Sequence, residues 1–212
     1  MTGVGSADVE AVIAHLKASA GVIAFPGGHL RTLTSATDAL SARLATWRRN
    51  NAEAFATRFP VTDDGTRAWL QDQVIDNPRR VLFLVLDDDG RPIGNLGFVV
   101  GDSLGLPVEI DNVLRGEAAA PGLMRQALLA LLGWLTDQVD HEPVGLRVLG
   151  SNERAVRFYE KAGFHEVSRV NLVAQRDGDR VSLVPGDTDV VDQYVTMTRE
   201  PKARRIEDVE QA

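Results

Sequence analysis

The chain has 212 residues, enough for one well-cored domain and short for two. Its net charge of −7 argues against broad binding along a nucleic-acid backbone, which needs a basic surface, but leaves room for a small basic pocket. The absence of cysteine excludes disulfides, zinc thiolate sites and a cysteine nucleophile, so any acyl transfer runs directly or through another nucleophile. Residues 1–10 carry no basic run followed by an apolar core, and the longest apolar stretch, 127–135, is too short to span a bilayer. Neither a signal peptide nor a membrane partner is expected, and the cytoplasm is the default location.

In chain order, residues 8–18 place Val9, Val12, Ile13 and Leu16 on one helical face. Residues 21–28 are apolar and end in Pro-Gly-Gly, a short extended piece and a turn; 30–34 read as a strand. Ser35 and Thr37 offer N-caps to a helix carrying Leu40, Leu44 and Trp47 at i, i+4 and i+7. After an expected Asp-Asp-Gly turn at 63–65, a short helix is predicted over 66–75. The apolar run 81–86 predicts a strand buried on both faces, followed by strands at 93–100 and 108–113 joined by a hairpin-like loop over 101–107. Pro121 suits the first position of a helix to about Asp137, apolar almost all round and hence deeply buried. A strand over 144–149 leads to a helix capped by Asn152 and stopped by Gly163. Final strands are expected at 164–173 and 193–198, with a polar loop or extra hairpin between them and a frayed charged tail over 201–212.

Three consecutive strands before the first crossover exclude a doubly wound fold and predict a mixed α/β sandwich of helices on one central sheet. The expected organisation is an N-terminal helical extension (1–28), one domain (29–200) and the tail. The apolar face of the extension either covers the core or pairs with a second subunit, which leaves a homodimer open.

The segment from Leu146 to Phe164 is the most specific. Its joint spacing of Asn152, Ala155, Phe158, Tyr159, Gly163 and Phe164 resembles the strand–Asn–Ala–Tyr–Gly-Phe element of the GNAT acetyltransferase superfamily, and the resemblance extends over about residues 30–199. It implies a mostly antiparallel central sheet flanked by helices and splayed between the strands 108–113 and 144–149. It also implies acetyl-CoA as co-substrate and a small-molecule amine as acceptor. By this resemblance Tyr159 assists the departing thiolate, Asn152 caps its helix near the pantetheine, and Ala155 lets the cofactor approach. The backbone at Asn112, Val113 and Leu114 is implied to pair with the pantetheine as with an added strand.

The stretch Arg115, Gly116, 117–120, Pro121, Gly122, Leu123, Met124 falls where the family has its pyrophosphate loop. Small residues before a helix N-terminus suit an anion. The loop departs from the family pattern: Ala119 stands at an Arg/Gln position and Met124 at a small one, with Arg115 as a substitute charge. Glu109 and Asp111, two apart, share a strand face, and a general base is required because an ammonium must lose its proton before it attacks. Glu109 falls about where the family places such a base, with Asp111 as second candidate; two charges on a solvated sheet face are the alternative. Trp47-Arg48-Arg-Asn50 resembles the first helix of the branch acting on nucleotide-linked amino sugars, which implies acceptor contacts at Trp47 and Arg48; Arg31 and Arg67 are further candidates. Amino acids, polyamines, antibiotics or protein N-termini are alternative acceptors, and a non-catalytic CoA-binding or interaction module is the alternative of another class. The four histidines, His15, His29, His141 and His165, show no metal-ligand spacing, and no GxxxxGK or GxSxG motif occurs.

Overall fold

The fold follows from one strand that is apolar at every interior position. In the computed structural model, which describes residues 6–101, 108–138 and 143–200, the 81–86 run lies inside β4 (Arg80–Asp87). Alternate residues point to opposite faces. Val81, Phe83 and Val85 enter one core with α1 (Ser6–Ala18), α4 (Leu123–Gln138) and α5 (Glu153–Lys161). Leu82, Leu84 and Leu86 enter a second core with α2 (Asp38–Asn50) and α3 (Asp63–Leu70). Helices therefore cover the sheet on both faces.

The remaining strands are β1 (Val22–Phe25), β2 (Gly28–Thr32), β3 (Thr57–Arg58), β5 (Pro92–Val100), β6 (Val108–Arg115), β7 (Val144–Leu149), β8 (His165–Asp177), β9 (Arg180–Pro185) and β10 (Val190–Arg199). They form one sheet in the order β1-β2-β4-β5-β6-β7-β10-β8-β9-β3, antiparallel except between β6 and β7. This is the mixed, mostly antiparallel sheet flanked by helices that the sequence predicts. Val9, Ile13 and Leu16 of the expected extension are buried in the first core, and β1 pairs with β2 across position 28. The apolar face of α1 thus covers this chain's own core.

Two local expectations are corrected, and in a third the structure decides for the extra hairpin over the loop. Residues 63–65 are the first turn of α3 and not a separate turn, because the Thr62 hydroxyl accepts from the Gly65 amide at 3.0 Å and caps the helix there. Helix α4 begins at Leu123 and not at Pro121, because Gly122 takes φ +85°, outside helical space. The polar stretch 174–192 resolves into the hairpin partner β9, which also pairs with the two-residue β3, an element too short for any periodicity to show. The 102–107 part of the expected loop, His141 and the tail lie outside the described residues.

After α3 the chain makes one π-helical turn (Gln71–Ile75), and Lys17 fastens it. Its ammonium donates to the carbonyls of Val74 (2.5 Å), Ile75 (3.1 Å) and Asn77 (2.6 Å), closing a helix end that would otherwise leave them unpaired. Lys17→Met keeps the aliphatic stem and removes the donor. It should cost about 1–2 kcal/mol, read as a lower urea midpoint at unchanged slope; an unchanged midpoint would mean that solvent replaces the ammonium without loss.

Candidate active site

The site is built where β6 leaves β7. Their parallel pairing covers only Val108 with Val144 and Glu109 with Gly145. Between Gly97–Asp111 and Asn95–Leu114, β6 carries one residue more than β5, a β-bulge. At its centre Asn112 adopts φ +52°, a left-handed conformation that asparagine tolerates better than most residues. The Asn95 amide donates to the Asn112 carbonyl at 2.6 Å and holds the bulge in place. A bulge bends its strand and increases its twist, so β6 turns away and the facing edges of 110–115 and 146–149 have no ladder partner on that side.

Two cavities flank this opening, and Leu114 lines both. The smaller, about 490 Å³, takes its walls from the α4 and α5 side. It contains Val113, Leu114, Arg115, Pro121, Gly122, Leu123, Asn152, Ala155 and Tyr159, all expected from sequence. It adds three cations that the sequence reading missed, Arg125, Arg154 and Lys161. No carboxylate lines it. The Met124 and Arg125 amides in the first turn of α4 have no acceptor among the described residues, so the helix presents free N–H groups and its positive end. Met124 itself is buried, its sulfur packed toward Gly94. Gly116 lines neither cavity: its amide donates to the Ile93 carbonyl at 2.9 Å, and any Cβ there would overlap the Trp47 ring.

Asn152 caps α5, accepting from the Ala155 amide at 3.1 Å. The helix ends in a Schellman arrangement: the Gly163 amide donates to Glu160 and the Phe164 amide to Tyr159, with Gly163 at φ +93°. The Tyr159 ring stands edge-on to Phe158 (5.3 Å) and Phe164 (5.9 Å), which fixes its direction. Burial pushes the Tyr159 phenol far above its ordinary value and the Asp111 charge adds to the rise, so the hydroxyl keeps its proton.

The larger cavity, about 580 Å³, opens on the α2 and α3 side. Asp111 and Asn112 enter its lining; Glu109 lines neither cavity. Glu109 is engaged bidentately by Arg147 of β7, Nε to Oε1 at 3.0 Å and Nη2 to Oε2 at 3.3 Å, across the base of the splay. Asp111 lies 3.2 Å from Arg80 Nε and accepts from the Asn112 side chain at 2.7 Å. Burial pushes its carboxyl above the usual carboxylate range and the Glu109 charge adds to this, against the opposing pull of Arg80 and Asn112.

Of the four residues expected to contact an acceptor, only Arg48 lines the larger cavity. Trp47 is a core residue, 1% exposed, its indole donating to Glu117 at 2.9 Å. Arg67 pairs on the surface with Asp38 and Asp64, and Arg31 is an exposed residue of β2. Phe55, Phe59, Trp69, Arg80 and Arg180 enter the cavity from segments far apart in sequence, which no local pattern joins. Among the described residues no cluster of three or more metal-ligating side chains occurs, and no helix is long and apolar enough to cross a membrane.

The sheet splays between β6 and β7, with a cationic cavity at a helix N-terminus on one side and a carboxylate on the other. A family profile described as acetyltransferase (GNAT) domain matches residues 29–165, and the chain belongs to that family. It is a GNAT-family N-acetyltransferase. No curated protein matches the sequence. Among solved structures, spermidine N-acetyltransferase from Vibrio cholerae in complex with CoA and spermine is 18% identical, over 81% of this chain and 94% of that one, with TM-score 0.61. The ribosomal L7/L12 α-N-protein acetyltransferase RimL in complex with coenzyme A is 16% identical, over 85% and 98%, with TM-score 0.63. A probable GNAT acetyltransferase from Chromobacterium violaceum is 15% identical, over 86% and 87%, with TM-score 0.63.

Gly122→Ala meets no atom within 4 Å, so its cost is backbone strain alone. It should lower stability by about 1–2 kcal/mol in urea titration; a neutral outcome would show that the loop before α4 is not held at positive φ.

Proposed function

We propose that the chain transfers an acetyl group from acetyl-CoA to a primary amine of a small molecule, with Asp111 as general base and Tyr159 as general acid. One observation supports this above the others: the β6–β7 opening lies between an acid-free cationic cavity and a cavity that holds a carboxylate. The first fits a cofactor rich in phosphate. Arg115, Arg154 and Lys161 supply charge, and the Met124 and Arg125 amides supply directed donors, replacing the side chain that Ala119 lacks. The free edges of 112–114 and 146–149 suit a pantetheine arm laid between them as an extra strand.

Acetyl-CoA brings an already activated acyl group, so the chain needs no nucleophile of its own. An ammonium has no lone pair, and in this reading Asp111, which lines the larger cavity, takes its proton. The raised Asp111 pKa makes it a stronger base than an ordinary aspartate. Glu109, held by Arg147, tunes Asp111 electrostatically. Tyr159 keeps its proton on Oη and donates toward the leaving sulfur. Most of the rate gain then comes from fixed orientation and fixed dipoles.

The narrower reading as an enzyme of nucleotide-linked amino sugars has no support in the comparisons, and Trp47, the first residue of its motif, is committed to the core.

Two substitutions test the roles. Tyr159→Phe should lower turnover about 10- to 1000-fold with CoA binding nearly intact. Asp111→Asn should lower it about 100-fold or more, and should abolish the fall in activity that the parent enzyme shows as pH drops through the raised Asp111 pKa. Unchanged turnover in either variant removes that residue from the mechanism.

A further inference from the structure

The larger cavity has a charge balance that its fold neighbours' polyamine chemistry does not explain. Its charged lining is Arg48, Arg80, Arg180 and Asp111. Arg80 and Asp111 answer each other at 3.2 Å. Arg48 and Arg180 have no carboxylate within ion-pair reach among the described residues. In a chain of net charge −7, two guanidiniums without a carboxylate partner lining one cavity are an arrangement against the overall trend.

Arg48 is held firmly. Its guanidinium carbon lies 3.1 Å above the Phe55 ring, and Nη2 donates to the Thr57 carbonyl at 2.6 Å. Its Nη1 is buried and has no acceptor among the described residues. Burial pulls the guanidinium down to about 10, so it stays charged at neutral pH. A desolvated N–H of a charged group without a partner is costly, and an incoming oxyanion relieves that cost. Arg180 comes from the far hairpin; its guanidinium carbon lies 5.7 Å from the Phe59 ring centre and its Nε donates to the Ser182 hydroxyl at 3.4 Å. The β3–β9 pairing brings that hairpin against the segment carrying Thr57. The Phe59 ring lies near both guanidiniums, 5.9 Å from that of Arg48 and 5.7 Å from that of Arg180, and Phe55 and Trp69 add aromatic lining.

We infer that the acceptor is a small amine with an apolar or aromatic body that also carries a compact oxyanion, carboxylate or phosphate, bound by Arg48 and Arg180. This rests on the acceptor role assigned above to the larger cavity. The geometry is that of a zwitterion: Asp111 meets the ammonium and the arginines meet the anion. A polycation such as spermidine brings no anion for these guanidiniums and adds repulsion. A free carboxylate or phosphate provides the same oxygens, and matched probes separate the two.

The test is calorimetric titration of the full chain with pairs that differ only in the anion. N-acetylphenylalanine against N-acetylphenethylamine probes a carboxylate; phenyl phosphate against phenol probes a phosphate. In at least one pair the anionic member should bind roughly 10- to 100-fold tighter, as a charge-assisted hydrogen bond implies. Arg48→Met should erase most of that preference, and Arg180→Gln, on an exposed hairpin where folding is not at risk, should erase a part. Equal binding within both pairs, no binding of any member, or a preference that survives both substitutions overturns the inference. CoA titrated into the same samples reports separately on the acetyltransferase reading: CoA binding with no anion preference sinks the acceptor class alone. An anion preference without CoA binding sinks the transferase reading and leaves the anion site standing.

Discussion

The site depends on one residue's backbone: Asn112, at φ +52°, inserts an extra position into β6 and sends it away from β7. Without that bulge two parallel strands would stay paired along their length, and there would be no gap for a substrate to enter. The conformation is sparsely populated for an L-residue and persists because its surroundings hold it. The Asn95 side chain, only 6% exposed, donates to the Asn112 carbonyl, and the Asn112 side chain donates to Asp111. The same bonds that hold the bulge therefore place the carboxylate. The Glu109–Arg147 pair ties the two strands together just below the point where they part, so the opening has a fixed base.

Charge is distributed against the composition. The chain is acidic as a whole, yet the smaller cavity gathers Arg115, Arg125, Arg154 and Lys161 with no acid among them. Two helix termini contribute: the free amides at the start of α4, and Lys161 at the end of α5, whose carbonyl accepts from Arg125 Nε at 3.0 Å. The loop that lacks the family's usual side-chain pattern is thus compensated from its neighbours. On the other side of the splay a single carboxylate sits among arginines and aromatic rings. The two cavities, unlike in charge, meet at Leu114, which lines both.

Much of this was legible in the sequence, for reasons that can be named. The continuous apolar run of β4 can only be a buried strand, and it is; α4, apolar almost all round in sequence, buries the face carrying Leu123, Ala127, Leu128, Leu131, Leu132 and Leu135 and leaves Arg125, Gln126 and Gly133 exposed. The Asn152-to-Phe164 spacing encodes a cap, a helix and a left-handed stop in one contiguous stretch, so each part was readable locally. The bulge was not legible, because Asn112 in an alternating strand looks like any polar residue. Trp47 and Arg48 are neighbours in sequence, but on α2 one falls in the core and the other at a cavity wall. The cations Arg154, Lys161 and Arg180 carry no local signal in the sequence; the packing of α5 brings Arg154 and Lys161 to the smaller cavity, and the pairing of β9 with β3 brings Arg180 to the larger.

In the proposed mechanism everything rests on acetyl-CoA binding in the splay and its cationic cavity. Calorimetric titration of the purified protein with acetyl-CoA tests it directly. Micromolar binding that weakens as salt is raised is expected, because the cations and free amides would meet phosphates. No binding at millimolar acetyl-CoA would contradict it, leaving the fold in place and the transferase chemistry without its donor.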